Sequence, residues 1–336
     1  MTIQRPETVD IVIVNWNTGP YLADCLRSIA GAEKTVLDVG DVVVVDNASS
    51  DGSAGLLDIP GIRLKVVRNS SNRGFAVACN QGAGLGCSEY LLFLNPDTRL
   101  FPDALLNAGR FLRTEAAKGV GICGARMVGE RGRPAISCSR FPTQGMLFGQ
   151  MTGLDRVLPS LFRRHHLRPE ETPESAVVDQ VIGAFVLMRR SLFTELGGFD
   201  ERYFLYFEDV DLAFRARRRG WPSYFLSNVR VRHAENVSSG QVKARRLEHW
   251  LCSRCLFVFS HLPRRQARLL LVLSLSVEPA VRFAGAALGR GSTGFRDTVE
   301  GYRGFLRWLI STWDQLGQDG PEPVGSHPSV TRNRKD

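Results

Sequence analysis

The chain has 336 residues, of which 43% are hydrophobic and 23% charged, proportions that exclude a disordered or fibrous chain. That length leaves material for one large α/β domain and an appendage, with no need of a disulfide framework. The formal net charge of +9 is uneven: from Gly240 onward 15 Lys and Arg stand against 8 Asp and Glu, a basic tail on a nearly neutral body.

The opening stretch, MTIQRPETVD, lacks the apolar run of a signal peptide. Seven Cys (25, 79, 87, 123, 138, 252 and 255) are odd in number and irregularly spaced, which predicts free thiols in a reducing compartment. Cys252 and Cys255 form a C-x-x-C, yet no second Cys or His pair follows at zinc spacing, so two helix-buried thiols are expected there. The apolar stretch 269–277 holds two Ser and stops at Glu278, short of the roughly 20 residues of a membrane span. A cytoplasmic protein is the expectation.

Residues 9–15 (VDIVIVN) read as a first strand, broken by Thr18-Gly19-Pro20. Leu22, Cys25, Leu26 and Ile29 then recur at the spacing of one helix face. Residues 41–46 (DVVVVD) form a second apolar strand, ended by the turn-rich 47–52 (NASSDG), and 62–67 a third. Ser71-Asn72-Arg73-Gly74 opens a helix to about Gly84, and 90–94 (YLLFL) is a fourth strand closed by Asn95-Pro96-Asp97. Apolar strands separated by helical segments predict an α/β fold with a mostly parallel, Rossmann-like sheet flanked by helices. Ligands sit at the carboxyl ends of such strands, which puts Asn15, Asn17, Asp46, Asp51 and Asp97 along one rim.

The segment 126–178, with its Pro-rich pieces and the basic run Arg163-Arg164-His165-His166, predicts long loops over that rim. Strand character resumes at 181–188, a short helix follows at 190–198, and an aromatic-acidic stretch spans 203–211. Acids at its start, Arg215 and 217–219 at its end and then Gly220 and Pro222 mark a helix over 209–220. Residues 223–233 hold one or two short strands. After Gly240 the chain reads helical to about Asp314, and the polar tail 315–336 reads as disordered.

Four places carry chemistry. Asp46, at a strand end, suits hydrogen bonds from a nucleobase or ribose, and equally a turn-forming Asp. Asp97, held by Pro96, suits a hard divalent cation bridging phosphates, or a β-turn. Glu208, Asp209 and Asp211 crowd a helix start, where acids commonly match the helix dipole. The helix end lowers their pKa values and mutual crowding raises them, so one of them can serve as a general base. His233 ends a Val-Arg-Val-Arg strand and with Asp97 would offer an oxygen and nitrogen site for Mg²⁺ or Mn²⁺, the alternative being a structural His.

In their order along the chain, the stretches IVIVNWN (11–17), VVVVDNASSDGS (42–53), RNSSNRGFAVACNQG (68–82), YLLFLNPDT (90–98), GAFVLMRRSLFTELGGFDERYFLYFEDVDLAFRARRRGW (183–221) and VRHAENVSSG (231–240) resemble the family-2 inverting glycosyltransferases, in particular their bacterial rhamnosyltransferase-like branch. The resemblance implies a GT-A fold over residues 1–240, with a nucleotide-binding half (1–125) and an acceptor-binding half (126–240), followed by a basic helical extension (241–314). It implies that Asp46 holds the base or ribose, with Asn15, Asn17, Arg73 and Asn95 near the nucleotide. Asp97 takes the place of the last acid of the D-x-D metal motif, and His233 that of a later His able to ligate the metal. Asp209 matches the catalytic base and Glu208 its acidic neighbour, while Asp200, Glu201 and Asp211 fall on the acceptor side. Two positions depart from the family pattern: Asn95 replaces the first acid of D-x-D, and Arg73 stands where many relatives carry Leu.

The function this implies is transfer of L-rhamnose from dTDP-L-rhamnose, or of a UDP-sugar such as UDP-galactofuranose, to a polyprenyl-diphosphate-linked glycan in cell-wall or surface polysaccharide assembly. Arg245, Arg246, Arg254, Arg264, Arg265 and Arg268 flank apolar stretches, as in helices lying on the anionic inner face of a cell membrane; a helical subdomain packed on the catalytic domain is the alternative. A nucleotidyltransferase would need a Gly-rich triphosphate loop and a Lys, which residues 15–19 (NWNTG) do not offer. A non-catalytic scaffold is the other rival, against which the acids stand intact. Basic charge without an RNA-binding motif predicts no nucleic-acid partner.

Overall fold

The computed structural model of the chain describes residues 6–55, 57–234, 243–288 and 294–318. The apolar runs form β1 (Glu7–Asn15), β2 (Leu37–Asp46), β3 (Arg63–Arg68) and β4 (Tyr90–Leu94), which lie parallel in the order β3-β2-β1-β4. Both faces of β1, β2 and β4 are covered, while β3, at the sheet edge, alternates exposed and half-buried residues. Val9, Ile11 and Ile13 pack under α1 (Tyr21–Ala30), on its buried Leu22, Cys25, Leu26 and Ile29. Val12, Val14, Val43 and Val45 face the other way, onto Ala76, Cys79 and Ala83 of α2 (Phe75–Ala83).

Beyond β4 the sheet is not parallel throughout, contrary to the expectation of a mostly parallel one. The chain adds β5 (Thr98–Leu100), α3 (Ala104–Leu112), β6 (Ile122–Val128), the two-residue β7 (Cys138–Ser139), α4 (Gln144–Thr152), the short α5 (Leu154–Val157), β8 (Ala176–Val178), β9 (Gln180–Val181) and β10 (Phe185–Arg189). α6 (Arg190–Glu195), α7 (Glu208–Arg218) and β11 (Ser223–His233) follow. β10 runs antiparallel between β4 and β6, and β11 is parallel to β6 but antiparallel to β5 and β8. The result is a mixed sheet in the order β3-β2-β1-β4-β10-β6-β11-β5, with β8 paired to β11. A strand returning antiparallel next to β4 brings the turn before it to the same rim as the end of β4.

The segment 126–178 is therefore not loop alone, since it holds part of β6 and the helices α4 and α5. β11 is one 11-residue strand rather than two; a register shift between Leu226 and Arg230 bends it without breaking it.

Three helices end the described chain: α8 (Lys243–His261), α9 (Arg264–Ala287) and α10 (Phe295–Gln318). α10 runs past residue 315, where a disordered tail was expected; the remainder of that tail, from 319, lies outside the described residues. Leu247, Leu251, Cys255 and Phe257 of α8 share one apolar cluster with Tyr203, Phe207 and Val210, so the extension packs directly on the segment around the start of α7. Cys252 and Cys255 are buried thiols.

Two expectations about the extension need correction. The helix carrying 269–277 does not stop at Glu278: it continues through Pro279 to Ala287 and is, by length and composition, long and apolar enough to cross a membrane. Nor is Arg254 available to a membrane surface, because it is 2% exposed. Its guanidinium bonds Ser274 Oγ at 2.6 Å, pairs with Glu278 and stacks 4.2 Å over Trp250, while Arg282 meets the same carboxylate at 2.8 Å. Burial alone would raise the Glu278 carboxyl; the two guanidinium groups hold it below its ordinary value. Arg245, Arg246, Arg264, Arg265 and Arg268 remain exposed.

Candidate functional site

The parallel register of β1 and β2 sets Asn15 beside Asp46, both buried at their strand ends. Asn15 Nδ2 donates to Asp46 Oδ1 (2.9 Å), Ser49 Oγ (3.0 Å) and Ser53 Oγ (2.9 Å), and its Oδ1 accepts from Thr18 Oγ1. Asn17 adopts φ 51°, a left-handed conformation Asn tolerates, which lets its N–H donate to Ser49 Oγ and its Oδ1 accept from Ser50 N. The turn after β2 is thereby closed over the end of β1. Asn47, which nothing in the sequence singled out, is 2% exposed and orders the next loop. It donates to Asn72 Oδ1 and to the Gly74 carbonyl and accepts from Asn69 Nδ2 and Arg73 N. Arg73 itself projects its side chain to solvent from that loop. Gly74, at φ 87°, lies so close to Phe204 that a Cβ would come within 2.7 Å of its carbonyl oxygen; there Phe75 N donates to that oxygen at 2.7 Å.

At the end of β4 the backbone N–H of Asn95 bonds the carbonyl of Ala184, and the turn delivers Asp97 to His233, the last residue of β11. Asp97 Oδ1 and His233 Nε2 are 3.3 Å apart, with side-chain exposures of 9% and 12%. Among the described residues no group of three or more His, Cys, Asp and Glu is arranged to hold a metal ion. One carboxylate and one imidazole nonetheless suit Mn²⁺ or Mg²⁺, since these ions take remaining ligands from phosphate oxygens and water.

The acids of 208–211 begin α7, behind two consecutive left-handed residues, Tyr206 (φ 69°) and Phe207 (φ 64°). Such backbone costs of order 1–3 kcal/mol per residue and persists only where its surroundings hold it. Here Ser253 Oγ of α8 donates to the Leu205 carbonyl at 2.8 Å, and His249 stacks on Phe204 with centroids 4.4 Å apart. Phe207 packs on Trp250 and Phe257.

Glu208 is 7% exposed, and its Oε2 has no hydrogen-bond partner among the described residues. Burial, then the adjoining Asp209 charge, raises its carboxyl well above the usual range. Asp209 is half-buried. Its Oδ1 accepts from Val210 N (2.9 Å) and its Oδ2 from Gln180 Nε2 (3.0 Å). Burial raises its carboxyl against the opposing N–H groups of Val210 and Gly183 and the Gln180 amide. Gly183 is packed on it: a Cβ there would lie 2.8 Å from Asp209 Oδ2. Because Gly183 touches Asp209 and the next residue, Ala184, bonds Asn95, one dipeptide separates the Asp97 turn from the Asp209 carboxylate.

The remaining expected residues point elsewhere. Asp211 turns inward, with Oδ2 on Arg215 Nε and Oδ1 on His261 Nε2, both at 2.7 Å, and so ties α7 to α8. Asp200 is clamped by Arg202: burial would raise its carboxyl, but the Arg202 hydrogen bonds and charge hold it below its ordinary value. Glu201 Oε1 accepts from Asn80 Nδ2 at 3.1 Å. Asn80, Gln180, Ser253 and His261 carry no signal of their own in the sequence; each acts through a side-chain contact to a distant segment.

The model of the family described as Glycosyltransferase like family 2 matches residues 6–253. The chain is 30% identical over 267 residues to N-acetylglucosaminyl-diphospho-decaprenol L-rhamnosyltransferase of Mycobacterium tuberculosis H37Rv, across 72% of this chain and 80% of that protein. Among solved structures it is similar to GalNAc-T7 with UDP, GalNAc and Mn²⁺, at TM-score 0.57 and 14% identity over 94% of this chain and 58% of the other. It is also similar to the mannosyltransferase PcManGT from Pyrobaculum calidifontis, in complex with GDP-Man and Mn²⁺, at TM-score 0.50 and 18% identity over 94% and 88%. These two likenesses concern the fold, which is of the GT-A type.

Proposed function

The chain belongs to glycosyltransferase family 2, and from that premise we propose that it moves L-rhamnose from dTDP-L-rhamnose to a hydroxyl of a polyprenyl-diphosphate-linked glycan, with inversion, in cell-wall or surface polysaccharide assembly. The observation that carries the transfer reading is the juxtaposition of Asp209 with the Asn95–Asp97 turn across Gly183 and Ala184. It supports reading Asp209 as a base beside the place where a diphosphate would be held. The donor and acceptor are suggested by the similarity to the mycobacterial rhamnosyltransferase.

In this reading Asp46 and Asn15 bind the nucleoside end of the donor. Asp97 and His233 would hold Mn²⁺ or Mg²⁺, which supplies charge stabilisation to a leaving diphosphate when bound. Asp209 takes the proton of the attacking hydroxyl. Glu208, buried and pushed towards its neutral form, keeps a second negative charge away from Asp209.

Thermal stabilisation by a panel of nucleotide sugars, each with Mg²⁺, Mn²⁺ or EDTA, tests the donor, because a ligand that binds only the folded state raises its stability. A metal-dependent shift with dTDP-L-rhamnose alone supports the reading; a shift with UDP-galactofuranose alone replaces the sugar, and no shift with any donor rejects the donor class.

The lipid-linked acceptor further suggests peripheral membrane attachment. Most of the apolar stretch of α9 is uncovered, with Val272 60% exposed, and Arg264, Arg265 and Arg268 stand at one end of it. An apolar stripe next to basic side chains is what an anionic lipid surface binds. Glu278 and its two guanidinium partners argue for a helix lying on the surface rather than crossing it. Co-sedimentation with anionic liposomes checks this, and a protein that stays in the supernatant refutes it.

A further inference from the structure

Gln180 is 2% exposed and sits in β9, a strand of two residues that pairs with β7. Its amide N–H bonds Asp209 Oδ2, the same oxygen that lies against Gly183. Oδ1 accepts from the N–H of Val210, and the backbone N–H groups of Asp209 and Gly183 also bond the carboxylate. The two oxygens are thus held differently: Oδ2 takes a side-chain amide from β9, and Oδ1 a main-chain N–H of its own helix.

Gln180 Oε1 is buried with no partner among the described residues. A buried polar atom left unsatisfied costs about 1–3 kcal/mol, a penalty an aliphatic side chain would avoid. Turning the amide over does not relieve it, because Oε1 would then meet a carboxylate oxygen and both would be acceptors. The charged groups near Asp209 are Glu208 and Asp211 on its own helix, the latter satisfied by Arg215 and His261. From β9 the contact is a neutral amide and from the following turn a backbone N–H.

We propose that Gln180 is a positioning residue for the base: it holds Asp209 Oδ2 so that Oδ1 receives the proton of the acceptor hydroxyl. The inference rests on the reading of Asp209 as the base. In the step, the hydroxyl proton passes to Oδ1 and the hydroxyl oxygen bonds the anomeric carbon. The bond from that carbon to the donor diphosphate breaks, and the diphosphate leaves with the electron pair.

The test uses the purified full chain with Gln180→Glu and Gln180→Leu, following kcat, donor KM and the pH profile of turnover, with Asp209→Asn alongside. In Gln180→Glu a second acid faces Oδ2, so the acidic limb of the profile should move up by about one pH unit or more, with activity regained at alkaline pH. In Gln180→Leu kcat should fall about tenfold while donor KM stays within about twofold, since the proposed role runs through Asp209 and not through the donor. If Asp209→Asn is inactive yet both Gln180 variants keep the wild-type kcat and profile, the positioning role is wrong and the base assignment stands. If Asp209→Asn retains turnover, the base assignment itself fails and this inference with it. Should Glu at this buried position prevent folding, the Leu variant decides alone: a kcat loss at constant donor KM supports the role, and wild-type kcat overturns it.

Discussion

A single side chain, Asn80, satisfies both backbone groups of Phe199: its Oδ1 accepts from Phe199 N at 2.9 Å and its Nδ2 donates to Phe199 O at 2.8 Å. Gly198 comes so close that a Cβ there would lie 2.7 Å from Asn80 Oδ1. The Gly-Gly-Phe-Asp-Glu turn, on the way to α7, is thereby fastened to α2. Asn80→Ala should cost about 2 kcal/mol, because it leaves two backbone groups without partners. Urea unfolding measures the cost, and kcat should fall with it as the start of α7 loses its seat.

In the proposed function Asp209→Asn removes the proton acceptor while keeping the shape of the side chain. Turnover should fall by about 10²–10⁴, with donor affinity near wild type. Steady-state kinetics and a melting curve separate the two effects.

Asp97→Asn and His233→Ala should each weaken the part of donor stabilisation that depends on Mn²⁺, leaving any metal-free nucleotide contribution unchanged. Melting with donor in Mn²⁺ and in EDTA reads that difference directly. An equal loss in both conditions would place these two residues outside the metal site.

The Arg254–Glu278 pair, between α8 and α9, is a second point of leverage. Arg254→Met leaves the Glu278 carboxylate with Arg282 and the Ser274 hydroxyl, and the expected cost is about 3 kcal/mol. Replacing both partners, Arg254→Met with Glu278→Leu, should recover part of it, since the apolar pair needs no compensating charge and only the less buried Arg282 then lacks its carboxylate. Chemical unfolding of the single and double variants measures both.

His249, stacked on Phe204, is pushed down to about 4, first by burial and then by the Arg245 charge. Unfolded, the imidazole titrates near about 6.5, so between that pH and about 4 the unfolded chain binds a proton the folded one refuses. Stability should therefore decline as pH falls through this window, and His249→Phe should flatten the decline. Melting temperatures from pH 7 to 4 for both proteins check the sign.

The strands β1, β2 and β4 were readable in the sequence because apolar side chains cover both of their faces, leaving an uninterrupted run. β6 was not: Gly124 and Arg126 interrupt its pattern, and Gly124 is required where a Cβ would strike Val181. The antiparallel course of β10 has no local signature either, since direction is settled by which strands flank it. The acids of α7 and the Asp97 and His233 ends were legible from their positions after strands and before a helix. The residues that hold them were not, because Gln180, His261 and Asn80 reach partners 29, 50 and 119 positions away through one hydrogen bond or two.

Asn15 has a consequence of its own. Its amide nitrogen carries two hydrogens, and three oxygens stand within bonding distance of it: Asp46 Oδ1, Ser49 Oγ and Ser53 Oγ. One oxygen at a time must go short, and the two hydroxyls can rotate to share the deficit. Acceptor oxygens thus crowd one amide at the end of β1 and β2, and the turn of the two hydroxyls decides which of them goes without it. In the proposed function a pyrimidine imide, arriving with one N–H, would supply a donor to the oxygen left over. A ring edge offering only acceptors would not. On that reading, selection among bases at this end would begin with counting hydrogens.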